Sequence, residues 1–251
     1  MRLGLVAPAG GERHWAAEAE RAGLFGVLVD AAPGAETIAA AEASTATSLT
    51  RLLVSLHLGH DNPVTLAEEV AVLDLISGGR VVVVVDPDSL APDDAEEELA
   101  LLRAAWSGRP VQHHGSRWRV PAGLAGHVAP ASVMVTPKPA QVDLPVWVGP
   151  AWSGSAQVRV VVEPGDVDAA APVAPGLATL TGDLETDRET VLAWASAGAT
   201  HLLCRLPAGE AAEAALGLVA RWLAPEVAMV AFPRVIAAAP LPLESPRYER
   251  S

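Results

Sequence analysis

Cysteine is almost absent from this sequence of 251 residues, where Cys204 stands alone. One thiol cannot close a disulfide within the chain or build a cysteine-rich zinc site. Positive charge is scarce too. There are 17 Lys and Arg against 30 Asp and Glu, Lys138 is the single lysine, and the formal net charge is −13. Nucleic-acid binding needs a basic face, so this balance argues against that class of partner. Although 51% of the residues are hydrophobic, no apolar run is long and uninterrupted enough to cross a bilayer. The opening MRLGLVAPAGGERHW has too short an apolar run for a secretory signal and reads as a first strand. The expectation is a cytoplasmic protein without a membrane partner. No GxGxxG follows that strand, which argues against a dinucleotide-binding sheet.

What is present is alternation of strand and helix. The length suits one large core, read as a single domain over 1–235 with a Pro-rich, mobile tail over 236–251. Strands are expected at 2–6, 25–30, 51–58 and 80–86, and helices at 12–22, 35–48, 63–77 and 92–106. Asn62 is a good N-cap, Pro63 suits the first helical position, and Gly78 and Gly79 stop that helix. The unbroken valines of RVVVVVD fit a parallel strand buried on both faces. Four strand–helix repeats predict a parallel sheet, doubly wound or closed into a barrel. The pattern then breaks. GRPVQHHGSRWRVPAG reads as a hairpin excursion, LPVWVG at 144–149 restores a core strand, and RVVVE at 159–163 is a candidate strand. Residues 164–182 show little periodicity. Thr186 and Glu189 read as a capping box for a helix over 187–197. A strand at 200–206 and an amphipathic helix at 209–223 complete the pattern.

Five motifs occur in order: AERAGLFGVLVD, NPVTLAEEVAVLDLISGGR, LRAAWSGRPVQHHGSRWRV, LPVWVG and DRETVLAWASAGATHLLCRL. Together they resemble the luciferase-like flavin monooxygenases, the family of bacterial luciferase and deazaflavin-dependent oxidoreductases. The resemblance covers most of residues 1–223. It implies an α/β fold, a (β/α)8 TIM-type barrel, often dimeric, with reduced flavin at the C-terminal ends of the strands. Reduced FMN or the deazaflavin coenzyme F420 is the implied cofactor. A homodimer or a heterodimer with a related subunit, a flavin reductase and a small-molecule substrate are the implied partners. The chain also departs from the family. Where members often carry histidine after the second strand, Asp30 is followed by Ala31 and Ala32. VVVVVDPDS runs straight into a helix, without the Gly-rich segment and lid insertion. The stretch after Gly149 is short, so the barrel is complete in distorted form or lacks one strand–helix unit.

Reduced flavin needs an apolar slot, donors for its phosphate, and shielding from water. Strand ends offer Asp30, Ser55, His57 and Asp86. His57 can bond an isoalloxazine edge or act as a base, or it is a satisfied core histidine. Asp86 and Asp88 flank Pro87 and are either a coupled proton-donor pair or a solvated turn. The turn GPAWSGS offers Gly149, Trp152, Ser153 and Gly154 to an anion and a ring, or is only a polar turn. His60 matches the family's turn before the third helix. His113 and His114 are neighbours on an extended segment and point apart, so no metal site is read there. DDAEEE at 93–98 reads as a helix start complementing the dipole. Glu68, Glu69 and Asp74 read as interface or packing residues. Cys204 reads as a buried, inert thiol. His57, Asp30 and Asp86 are therefore the catalytic candidates, and Ser55, Gly149, Trp152, Ser153 and Gly154 the cofactor-binding ones. The reading is a flavin-dependent oxidoreductase, a monooxygenase using externally reduced flavin on a small organic substrate; the alternatives are a non-catalytic partner subunit or ligand carrier, and a flavin-free barrel using acid–base residues.

Overall fold

The computed structural model describes residues 1–123, 128, 130–154 and 157–227. The expected 236–251 tail and the last part of the 1–235 domain lie outside them. The first four repeats are β1 (Arg2–Val6), α1 (Glu12–Arg21), β2 (Gly26–Val29), α2 (Glu36–Ser44), β3 (Arg51–His57), α3 (Pro63–Ser77), β4 (Val81–Asp86) and α4 (Pro92–Trp106). A short antiparallel hairpin follows, β5 (His113–His114) with β6 (Arg119–Val120). Then come β7 (Val146–Val148), β8 (Val158–Arg159), β9 (Pro175–Thr179), α5 (Leu184–Ser196), β10 (His201–Arg205) and α6 (Ala211–Leu218).

Eight strands pair in parallel in the order β8-β7-β4-β3-β2-β1-β10-β9. The two edges meet at a bridge between Val161 and Gly176. Val161 N donates to Pro175 O at 3.1 Å, and Leu177 N donates to Val161 O at 2.9 Å. The sheet is thus a nearly closed barrel. All eight strands are present, and what the described residues lack is helical cover. Among the described residues no α-helix joins β7 to β8, and β8 reaches β9 through a single 3-10 turn at Pro164–Asp166.

Strand alternation sorts the core into two shells. Val6, Leu28, Leu53, Val82, Val84, Trp147, Val160 and Leu203 fill the barrel interior. Leu5, Val27, Leu52, Val54, Leu56, Val83 and Val85 face the helices. The interior is so tight that a Cβ on Gly26 would lie 2.5 Å from Leu53 Cδ1 and 3.0 Å from Arg51 O. Only glycine fits there. At the N-terminal end, Phe25, Trp147 and His201 close the interior, with the His201 ring 4.5 Å from Phe25 and 5.5 Å from Trp147.

α3 forms as its sequence directs. Asn62 accepts from Val64 N at 2.9 Å, Pro63 occupies the first turn, and Gly78 ends the helix at φ 71°. α5 corrects the capping expectation. It starts earlier, at Leu184, and its cap is Asp183, whose carboxylate accepts from Thr186 N at 2.9 Å and from the Thr186 hydroxyl at 2.8 Å. Thr186 is a donor inside the first turn, because the carboxylate one turn earlier is the stronger acceptor. β9 lies in the 164–182 segment of little periodicity. The candidate strand at 159–163 is reduced to Val158–Arg159 plus the Val161 bridge. α6 continues through a π-helical turn, Val219–Leu223, into a last short helix, Ala224–Val227. Val227 O there accepts from the Met1 ammonium at 2.8 Å.

Candidate functional site

Inward-facing columns end at the C-terminal mouth of the barrel. Asp30 lies two residues beyond Leu28, Ser55 and His57 continue the Leu53 column, Asp86 follows Val84, and Gly149 follows Trp147. Five of the eight sequence candidates are thereby collected at one end. His57 and Asp30 approach most closely, Nε2 to Oδ1 3.8 Å, with side chains 21% and 41% exposed. That spacing exceeds a hydrogen bond, so the pair is an open one that a ligand atom or a proton can enter. His57 is also paired in register with Asp86. A Cβ on Gly149 would lie 3.1 Å from Asp86 Oδ2, so glycine leaves that oxygen room. The other Asp86 oxygen accepts from Asp88 N at 2.9 Å, which fixes the turn after β4. Asp88 sits there at φ 47°, and His60 Nε2 meets its Oδ2 at 2.6 Å. Ser55 is buried below the mouth.

Trp152, Ser153 and Gly154 sit apart from this group, on the turn leaving β7. Trp152 N donates to Gly149 O at 3.1 Å, which tightens the turn. The Trp152 ring is 2% exposed and belongs to the helix-side core. Its indole Nε1 has no hydrogen-bond partner among the described residues. Ser153 is exposed and Gly154 half-buried. A Cβ on Gly154 would strike the Glu96 carboxylate and lie 2.8 Å from Trp152 Nε1.

Sequence reasoning missed the acids that hold the mouth together. Glu36, 3% exposed at the start of α2, faces the backbone N–H of His57 at 3.5 Å. Three consecutive glutamates on α4 fan out to different loops, as the helical turn of about 100° per residue requires. Glu96 abuts the turn after β7. Glu97 accepts from Ser116 N at 2.9 Å, the Ser116 hydroxyl at 2.5 Å and Trp118 N at 3.0 Å, and meets His113 Nε2 at 3.0 Å. Burial alone would raise the Glu97 pKa, but these donors outweigh it and hold the carboxyl down at about 2. Glu98, 1% exposed, accepts from Gly59 N at 2.8 Å, Arg117 Nε at 3.1 Å and Trp118 Nε1 at 2.9 Å. One side chain therefore ties the loop after β3 to the hairpin. Of the stretch 93–98, Asp93 and Asp94 occupy the first turn as a dipole complement, while Glu96, Glu97 and Glu98 are loop anchors.

Asp74 and Cys204 behave as the sequence implied. Asp74 is fully buried and accepts from Gln141 N at 2.9 Å, Gln141 Nε2 at 2.8 Å and Val81 N at 3.3 Å. Burial pushes the Cys204 thiol up to about 12, with Asp187 adding to the rise. No cluster of three or more His, Cys, Asp or Glu side chains suited to a metal ion occurs among the described residues. A cavity of about 820 Å³ runs beside α4, along β8 and the 166–175 connection, where helical cover is missing. It does not touch Asp30, His57 or Asp86.

The model of the luciferase-like monooxygenase family matches residues 5–183. No curated protein sequence matches the chain at a significant level. Among solved structures, the coenzyme F420 dependent tetrahydromethanopterin reductase from Methanopyrus kandleri is similar with a TM-score of 0.64 and 14% identity. That match covers 90% of this chain and 99% of the reductase. A monooxygenase from Streptomyces bottropensis is similar with a TM-score of 0.50 and 19% identity, over 79% of this chain and 66% of that one. The oxygenating constituent of 3,6-diketocamphane monooxygenase from Pseudomonas putida, in complex with FMN, gives a TM-score of 0.45 and 16% identity over 80% of this chain. This chain spans 64% of that protein's length.

Proposed function

The chain belongs to the luciferase-like monooxygenase family, and on that premise we propose that it is a flavin-dependent oxidoreductase. In this reading it is a monooxygenase that takes externally reduced FMN, or the deazaflavin coenzyme F420, and acts on a small organic substrate. The observation that carries the proposal is the open His57–Asp30 pair at the barrel mouth, with Asp86 next in register. A reduced flavin bound there would supply the electrons for oxygen activation. His57 would hydrogen-bond the ring edge or move a proton, and Asp30 would stabilise the imidazolium that results. Asp86 is the second acid, and Gly149 leaves space beside it. Ser55 would offer a buried hydroxyl to the cofactor, and the turn through Trp152, Ser153 and Gly154 would receive its polar tail. The imidazole of His57 and the carboxylates of Asp30 and Asp86 support the ring end of such a cofactor, offering it a hydrogen-bond donor and acceptors.

The same reading includes a dimer. Ile38 on α2 and Val72, Leu75 and Ile76 on α3 are exposed at 65%, 46%, 48% and 62%. These side chains gain most from burial against a second copy or a related subunit. A separate flavin reductase and a cytoplasmic setting complete the proposal. No helix among the described residues is long and apolar enough to cross a membrane. A non-catalytic subunit is the second reading, favoured by the carboxylate of Glu96 lying against the cofactor turn.

Fluorescence titration of the purified chain with oxidised and reduced FMN and with F420 tests the proposal. Micromolar binding of at least one of them is expected. A folded protein that binds none of them up to about 1 mM, an affinity of about −4 kcal/mol, moves the assignment to the second reading.

A further inference from the structure

Resting on the flavin reading above, we propose that Glu96 occupies the oxyanion position of the turn after β7 and competes with the phosphate of the cofactor for it. Two independent features meet at one point. The Glu96 carboxylate lies so close to Gly154 that a single methyl group there would strike it. Beside the same point, 2.8 Å from it, is the indole Nε1 of Trp152. That N–H is a donor on a ring only 2% exposed, and it has no partner among the described residues. A buried donor without an acceptor is costly, and natural proteins keep one where a ligand or an ordered water completes it.

The turn thus holds an unused donor and glycine backbone of the kind an oxyanion seeks. It also holds one negative charge of its own. A phosphate entering the turn meets that charge at short range, where screening by salt is weak. Glu96 must swing away from Gly154 before the phosphate can accept the Trp152 N–H. The rest of α4 keeps its place during this exchange, because Glu97 and Glu98 are anchored separately to the hairpin and to Gly59. A flavin whose tail ends in a hydroxyl has no such conflict, since a hydroxyl donates to the carboxylate. Glu96 is therefore a specificity-determining residue, setting how strongly the chain prefers a phosphorylated tail.

The test compares FMN with riboflavin by fluorescence titration of wild type, Glu96→Gln and the double variant Glu96→Gln/Trp152→Phe, each first shown to be folded by circular dichroism. Glu96→Gln is expected to tighten FMN at least tenfold and to change riboflavin by less than threefold. The double variant is expected to lose most of that gain, because phenylalanine keeps the packing and removes the donor. An FMN-to-riboflavin affinity ratio that stays the same in Glu96→Gln overturns this inference and leaves the flavin reading standing. Binding of neither flavin to any of the three proteins overturns both.

Discussion

Replacing Glu98 by glutamine measures how far one buried carboxylate holds the mouth of this barrel together. Glu98 is 1% exposed and takes three donors: Gly59 N on one oxygen, Arg117 Nε and Trp118 Nε1 on the other. Glutamine has nearly the same shape but only one acceptor oxygen. Whichever way the amide turns, its NH₂ faces at least one of these donors. The variant loses charge assistance on the bonds it keeps and leaves at least one buried donor opposite another. Hydrogen bonds to a charged group are worth about 1.5–3 kcal/mol each, so a loss of about 3 kcal/mol is expected. For a chain of this size that is a fall in Tm of about 6–12 °C. If Glu98 were only a surface acid favouring the helix dipole, the loss would be about 0.3–1 kcal/mol. Thermal unfolding followed by far-ultraviolet circular dichroism separates the two. A Tm within about 2 °C of wild type, on the slope of 2–4 °C per kcal/mol used here, refutes the anchoring argument.

Two further outcomes follow from the core. Leu53→Ala empties the centre of the interior shell, where Leu53 is fully buried, and is expected to cost about 3 kcal/mol in chemical denaturation. A cost below about 1 kcal/mol would mean that the interior collapses around the gap. Burial, then the Arg2 guanidinium and the N-terminal ammonium, lower the His201 pKa to about 4. A histidine depressed in the folded state binds its proton more readily when unfolded. Its stability contribution is therefore complete above the unfolded value of about 6.5 and is lost as pH falls from there towards 4. Imidazole shifts in a proton NMR titration should show a midpoint near 4, and a midpoint at about 6 or above contradicts the burial account.

Much of the barrel is legible in the sequence because its parallel strands are runs of valine and leucine between capped helices. RVVVVVD and RLLVSLH carry the signal of burial on both faces without help from distant residues. β9 carries none. PGLAT lies in a Pro-, Ala- and Gly-rich stretch and is a strand because five of its residues pair with β10 and Gly176 meets Val161. Gly176 is required by the Trp194 ring packed over it, a partner on α5 that no local pattern announces. The mouth divides in the same way. Asp30, His57 and Asp86 are visible as polar residues ending apolar strands. Glu97 and Glu98 look like helix-start acids, since their partners stand 16 to 39 residues away. Local spacing reports the dipole and is silent about the loops these acids bind.

Flavin binding at the open His57–Asp30 pair is the central step of the proposed function. Calorimetric titration of wild type and His57→Ala with reduced FMN under anaerobic conditions tests this directly. Binding to wild type is expected, with an affinity at least tenfold weaker in His57→Ala, about 1.4 kcal/mol, and both proteins unfolding at similar temperatures. Equal affinity in the two proteins would place the ring elsewhere on the barrel and contradict the assignment.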